Sequence, residues 1–157
     1  GYNVMVLDLR DTYSSYRWNP LESIWDMYQE YVEAGKGIFV HNDSAEGYPD
    51  LEWVGTILPG SQWYEYRGKA WADRNQLIDT VSITRQKIYD EMYEDMSDLV
   101  SVLVPVQNQN DPMWEKGARS ITMAVLLAML EDSETPELGM TKEKFNLFNM
   151  SKNLFLN

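Results

Sequence analysis

Three carboxylates, Asp90, Glu94 and Asp98, recur every fourth residue in the stretch "YDEMYEDMSDLV", which sets them one helical turn apart. Acids so placed can divide general-acid and general-base work when burial raises one pKa and leaves the other low. That division needs a dry cleft, and nothing in the neighbouring sequence builds one. With Glu91 and Asp95 between them, the five acids describe a solvated helix face. The other residues able to do chemistry stand alone. The single histidine, His41, lies among Gly and Asp residues without a second histidine at ligand spacing or a serine elbow, which fits a surface loop. Cysteine is absent, excluding disulfides, thiolate metal sites and a thiol nucleophile. Asp8 closes the apolar run Val4, Met5, Val6 and Leu7 as magnesium-holding acids do beside nucleotide sites, yet no GxxxxGKS or GxxxxGKT phosphate loop accompanies it. No enzyme function and no cofactor follows from these residues.

Charge narrows the partners. The net charge is −12, and between Leu21 and Trp53 eight acids face one base, Lys36. No Lys/Arg stripe offsets this, so weak or no direct DNA binding is expected, and a basic protein is the favoured partner. The aromatic residues offer one competing site: Trp63, Tyr64 and Tyr66 alternate along "WYEYRGKAW" and could form an exposed patch for stacking single-stranded bases.

The elements that must carry these groups are mostly helical. One domain of 157 residues with an ordinary core is the expectation from length and a hydrophobic content of 44%. Gly1 in place of an initiator Met fits an excised piece. No apolar window reaches the roughly 18 residues needed to span a bilayer, so the chain is expected to be soluble. Val4 to Leu7 reads as a strand covered on both faces. Asn19, Pro20 and Glu22 mark a helix start, with Leu21, Ile24, Trp25, Tyr28, Tyr31 and Val32 on one face, and Gly35 and Gly37 end it. Residues Ile38 to Gly68 read as loop with some short strand, including a hairpin turning at Arg67 and Gly68.

Asp73 and Gln76 open one long helix reaching toward Pro105, with a break near Ser97 allowed. Its stripe of Leu77, Val81, Ile88, Met92, Leu99 and Leu103 repeats every eleven residues, the period of a nearly straight helix. After the polar loop "VQNQND", Asp111 and Pro112 start a helix that is apolar nearly all round and is therefore expected to be central and buried, with Trp114, Ala118, Ile121, Val125 and Ala128 on its inner face. Trp25 and Trp71 are likewise expected to face inward. "EDSETPELGM" reads as a surface loop, and Thr141 caps a last amphipathic segment holding Phe145, Phe148, Met150, Leu154 and Phe155. The expected fold class is an all-α, multi-helix bundle with one long helix, a central buried helix, a short N-terminal strand remnant and a small β-hairpin.

Taken together, "VMVLDLRD", "RWNPLESIWD", "DLVSVLVPVQNQNDPMWEKGARSITMAVLLAMLEDS" and "TKEKFNLFNMSKNLFL" resemble the type IV secretion coupling proteins, the TraG/TraD-like ATPases of conjugative DNA transfer. The run Pro105 to Arg119 carries the resemblance most specifically. It implies that residues 1–18 are a strand and linker of a flanking nucleotide-binding domain, and that residues 19–157 are an all-alpha substrate-recognition domain inserted into that motor. ATP and magnesium are then expected of the full-length protein alone, as are the hexamer and the membrane anchor, with this piece at the cytoplasmic face of the plasma membrane. Expected partners are the relaxase, relaxosome accessory or effector proteins, and the rest of the coupling protein. Cargo contact would fall on Asp90, Glu91, Glu94, Asp95 and Asp98. The other reading of the charge is a free-standing acidic helical adaptor or DNA mimic.

Overall fold

A computed structural model describes residues 19–42, 52–54, 62–105 and 113–155. The strand expected at Val4 to Leu7, Asp8, the flanking-domain assignment of residues 1–18, and the Asp111–Pro112 helix start all lie outside the described residues. Helix predominates: α1 (Glu22–Ala34), α2 (Arg74–Leu103), α3 (Met113–Asp132) and α4 (Leu147–Phe155) are joined by four short strands, β1 (Phe39–Asn42), β2 (Glu52–Val54), β3 (Gln62–Tyr66) and β4 (Lys69–Trp71). The chain divides into two compact units, Gly1–Tyr28 with Glu91–Asn157, and Gln29–Asp90.

The first unit is the helical one. Asn19 starts α1 by accepting the Leu21 amide on Oδ1 at 3.1 Å, while its Nδ2 donates to the Phe145 carbonyl at 2.7 Å. One side chain thus caps a helix and pins a segment far along the chain. Leu21 and Ile24 on α1, Met92, Met96 and Val100 on α2, and Leu126 and Leu130 on α3 form a core closed by Phe145 and Met150. Methionine, with no branch at Cβ, fills irregular gaps in such a core. Trp25 meets Phe145 with ring centroids 5.7 Å apart, so its expected inward placement is partly realised. Lys142 bridges Asp26 at 3.0 Å, and the Tyr28 hydroxyl donates to Glu134 at 2.5 Å. The segment expected as a surface loop therefore lies against α1. The cap of α4 is Asn146, whose Oδ1 accepts the Asn149 amide at 2.8 Å. Thr141 instead starts the turn just before it, accepting the Lys144 amide.

The second unit departs from an all-α fold. Its sheet has the order β1-β3-β4-β2, antiparallel except where β2 pairs parallel with β4. The hairpin of β3 and β4 turns at the expected residues, with Arg67 at φ 52° and Gly68 at φ 78°. Positive φ at both central positions matches the right-handed twist of the strands, and glycine supplies the second at no steric cost. β1 and β2 were hidden in the sequence by the Gly, Pro and Asp residues around them. His41 lies on β1 opposite Trp63, and so belongs to a strand and not to a loop.

Helix α2 opens as expected, with Asp73 Oδ1 accepting the amides of Asn75 and Gln76 at 2.8 and 3.2 Å. It runs unbroken through Ser97 to Leu103. Of the eleven-residue stripe, Leu77 and Met92 are buried and the other four are half-buried; Met96 and Val100 are the deeper contacts.

Helix α3 requires a correction. Its buried face is Thr122, Met123, Leu126, Met129 and Leu130. The face expected to turn inward lies outside: Trp114 is 83% exposed and Ile121 59%. Ala118 and Ala128 are exposed as well, and Val125 is half-buried. A helix apolar on every side offers no polar stripe to mark its outside, so periodicity alone chose the wrong half.

Candidate functional site

The acids of α2 occupy one side of the helix. Glu91, Glu94, Asp95 and Asp98 follow at offsets of three and four, and all are exposed. They stand away from Met92, Met96 and Val100, whose burial fixes the rotation of the helix. Val102, four residues beyond Asp98, prolongs the acidic line and is also exposed. Asp90, the last residue of the other unit, is exposed and accepts a hydrogen bond from Gln86 Nε2 at 2.7 Å.

No Lys or Arg occurs in α2 after Lys87. The helix therefore carries acids toward the end where its own dipole is negative, an arrangement that repels anions and attracts cations. One cation comes from α3. Arg119 donates through Nε to the Val104 carbonyl at 2.6 Å and through a terminal nitrogen to the Ser101 carbonyl at 3.3 Å. Ser101 belongs to the last turn of α2, where helical carbonyls lack intrahelical partners, and Val104 directly follows the helix. The guanidinium thus satisfies these carbonyls and opposes the dipole, but it leaves the acids upstream unpaired by any base of their own helix.

The aromatic alternative does not form a patch. Trp63 is fully buried and Tyr66 nearly so, its hydroxyl donating to the Ala34 carbonyl at 2.6 Å. Tyr64, between them, is half-buried. The strand reading of this stretch holds, but Trp63 and Tyr66, at odd spacing, point to opposite faces of β3 and both are buried, so the three rings form no exposed row. Stacking of bases on these rings is therefore overturned. Among the described residues the most exposed aromatic is Trp114, on α3.

A second cluster is structural. Arg85 lies over the Tyr31 ring at 4.3 Å and donates to the Tyr31 carbonyl at 3.3 Å, while Tyr89 packs on Tyr31 at 5.3 Å. A Cβ at Gly35 would come 3.0 Å from that guanidinium, close enough that the arginine side chain would have to shift. Among the described residues, no group of three or more His, Asp or Glu side chains is arranged to hold a metal ion. No described helix is long and apolar enough to cross a membrane.

Comparison with known proteins returns no match: no family model, no curated protein and no solved structure aligns significantly with the chain.

Proposed function

We propose that this chain is the cargo-recognition domain of a conjugative type IV secretion coupling protein, and that it engages a relaxase, a relaxosome accessory protein or an effector protein through the acidic side of α2. The observation that carries this reading is the run of exposed acids, Glu91, Glu94, Asp95 and Asp98, on a rigid helix that supplies no base after Lys87. Such a surface accelerates encounter with a basic protein and repels a nucleic-acid backbone. The resemblance of Pro105 to Arg119 to the coupling proteins supplies the class of machine, and the helical unit suits a recognition module in it. ATP and magnesium belong, on this reading, to the flanking motor together with the hexamer and the membrane anchor.

Exchanging Glu94 and Asp98 for Lys tests the role of the acids. The double variant should associate more slowly with a basic relaxase and lose much of its salt dependence, because rim charges act mainly on encounter rate. Stopped-flow association at two ionic strengths measures both. Unchanged rates would remove the acidic side from the mechanism, and tight binding of single-stranded DNA by the unmodified chain would reverse the assignment of protein over nucleic acid.

A further inference from the structure

The outer face of α3 holds a glycine that its own fold does not need. Gly117 lies within a 20-residue helix, and a Cβ built on it meets nothing within 4 Å. Its φ is not positive. Among the described residues, neither backbone conformation nor packing therefore accounts for a residue that weakens a helix interior relative to alanine. Trp114 lies three residues before it and Ile121 four after, and both are exposed. Ala118, Ala124 and Ala128 continue the same side, also exposed. From Met113 to Ala128 this apolar side is about 24 Å long at the helical rise per residue. It has a low centre at Gly117 between two large apolar side chains, the relief that lets a second helix approach closely.

Charge decides what kind of helix fits. The apolar side runs into Glu131 and Asp132, which sit at the negative end of the α3 dipole, and the last turn of α3 contains no base. A second copy of this chain would bring another charge of −12 to the contact. We infer that the outer face of α3 is a docking seat for a basic amphipathic helix of a partner protein, its apolar side crossing Gly117 between Trp114 and Ile121 and its cationic end against Glu131 and Asp132. Tryptophan in such a position is the usual energetic anchor of a helix-in-groove contact. The inference rests on the proposed cargo reading only for the source of the partner; the seat itself is independent of the α2 acids.

The test titrates the chain with two synthetic amphipathic helices of about 18 residues, long enough to be helical, one of Leu and Lys and one of Leu and Glu. The Leu/Lys peptide should bind and the Leu/Glu peptide should not. Trp114→Ser with Ile121→Ser should weaken binding at least about tenfold, consistent with loss of an anchor, with the circular dichroism spectrum unchanged. Glu131→Gln with Asp132→Asn should weaken it and flatten its salt dependence. Gly117→Leu should block it, whereas Gly117→Ala should raise the melting temperature of the free chain by about 2–4 °C, as removal of an unneeded helical glycine would. Equal binding of the two peptides, or full binding by the Trp114/Ile121 variant, would overturn the proposal. Sedimentation showing a dimer that Trp114→Ser dissociates would overturn it in favour of a second copy. The Glu94/Asp98 charge-reversed variant separates the two readings: peptide binding retained with cargo binding unaltered sinks the α2 mechanism and leaves the α3 seat standing.

Discussion

In α2 the acids Glu91, Glu94, Asp95 and Asp98 stand away from Met92, Met96 and Val100, whereas α3 is apolar on the buried side of Leu126 and Leu130 and again on the open side of Trp114 and Ile121. Both helices cover the same core. In α2 polarity and burial agree on the rotation, since turning it would expose Met92, Met96 and Val100 and bury four carboxylates, each strongly disfavoured without a partner. Polarity does not fix α3. Its rotation depends on which apolar side fits the space left by α1, α2 and α4, and on Arg119 reaching the end of α2. Two-sided apolarity in a helix marks a surface still to be covered as readily as it marks a centre.

Removing a side chain from each side of α3 is the strongest way to break this contrast. Leu126→Ala should destabilise the chain by about 2–5 kcal/mol in urea melts, the range for a leucine deleted from a packed core. If the loss is below about 1 kcal/mol, the buried side has been misassigned. Arg119→Ala comes next, at about 1–3 kcal/mol, because it strips the Ser101 carbonyl of α2 and the Val104 carbonyl just beyond it of a charged donor. Arg119→Lys should recover only part of that, since an ammonium lacks the planar fork. Trp114→Ala should change stability by less than about 1 kcal/mol despite the size of the residue. A loss of about 3 kcal/mol or more, normal for a buried aromatic, would place Trp114 inside after all.

The smallest expected effect sharpens the comparison from the side of charge. The hydrogen bond that Lys142 donates to Asp26 holds its ammonium above the ordinary pKa of 10.5, against desolvation and with further help from the nearby charges of Asp26, Glu22 and Glu143. A pKa raised on folding stabilises the folded chain below the unfolded value and loses that contribution as pH rises through the folded one. NMR titration of the Lys142 side chain should therefore show an upward shift that Asp26→Asn removes. An unshifted titration would mean that the contact at 3.0 Å does not persist in solution.

Legibility followed the same division between polar markers and apolar mass. Asp73, the Gly35 and Gly37 stop, the turn at Arg67 and Gly68, and the exposure of the α2 acids were all readable, because each depends on a local backbone demand or on the price of burying charge. Asn146 was missed as a cap because Thr141 offers an equally good signal five residues earlier. Strands β1 and β2 were legible only as short strand without fixed positions, because three or four residues are too few for an alternating pattern to stand out. The burial of Trp63 and Tyr66 was not legible because they point to opposite faces of β3, and a strand pattern does not say that both faces are covered. The exposure of Trp114 had no sequence signal other than Gly117, where among the described residues nothing lies within 4 Å of an added Cβ.

The bond from Asn19 to the Phe145 carbonyl joins residues 126 apart in the chain. On a ribosome adding about 5–20 residues per second, Phe145 is made some 6–25 s after Asn19. For that interval α1 exists without the segment that closes over it, and Leu21 and Ile24 have no final neighbours at the C-terminal end. The hairpin and the Arg85–Tyr31 contact need no residue beyond Tyr89, so their unit can form while synthesis continues. Assembly of the helical unit then waits for the segment around Phe145, and any pause before it would leave the first helix exposed to chaperones and proteases.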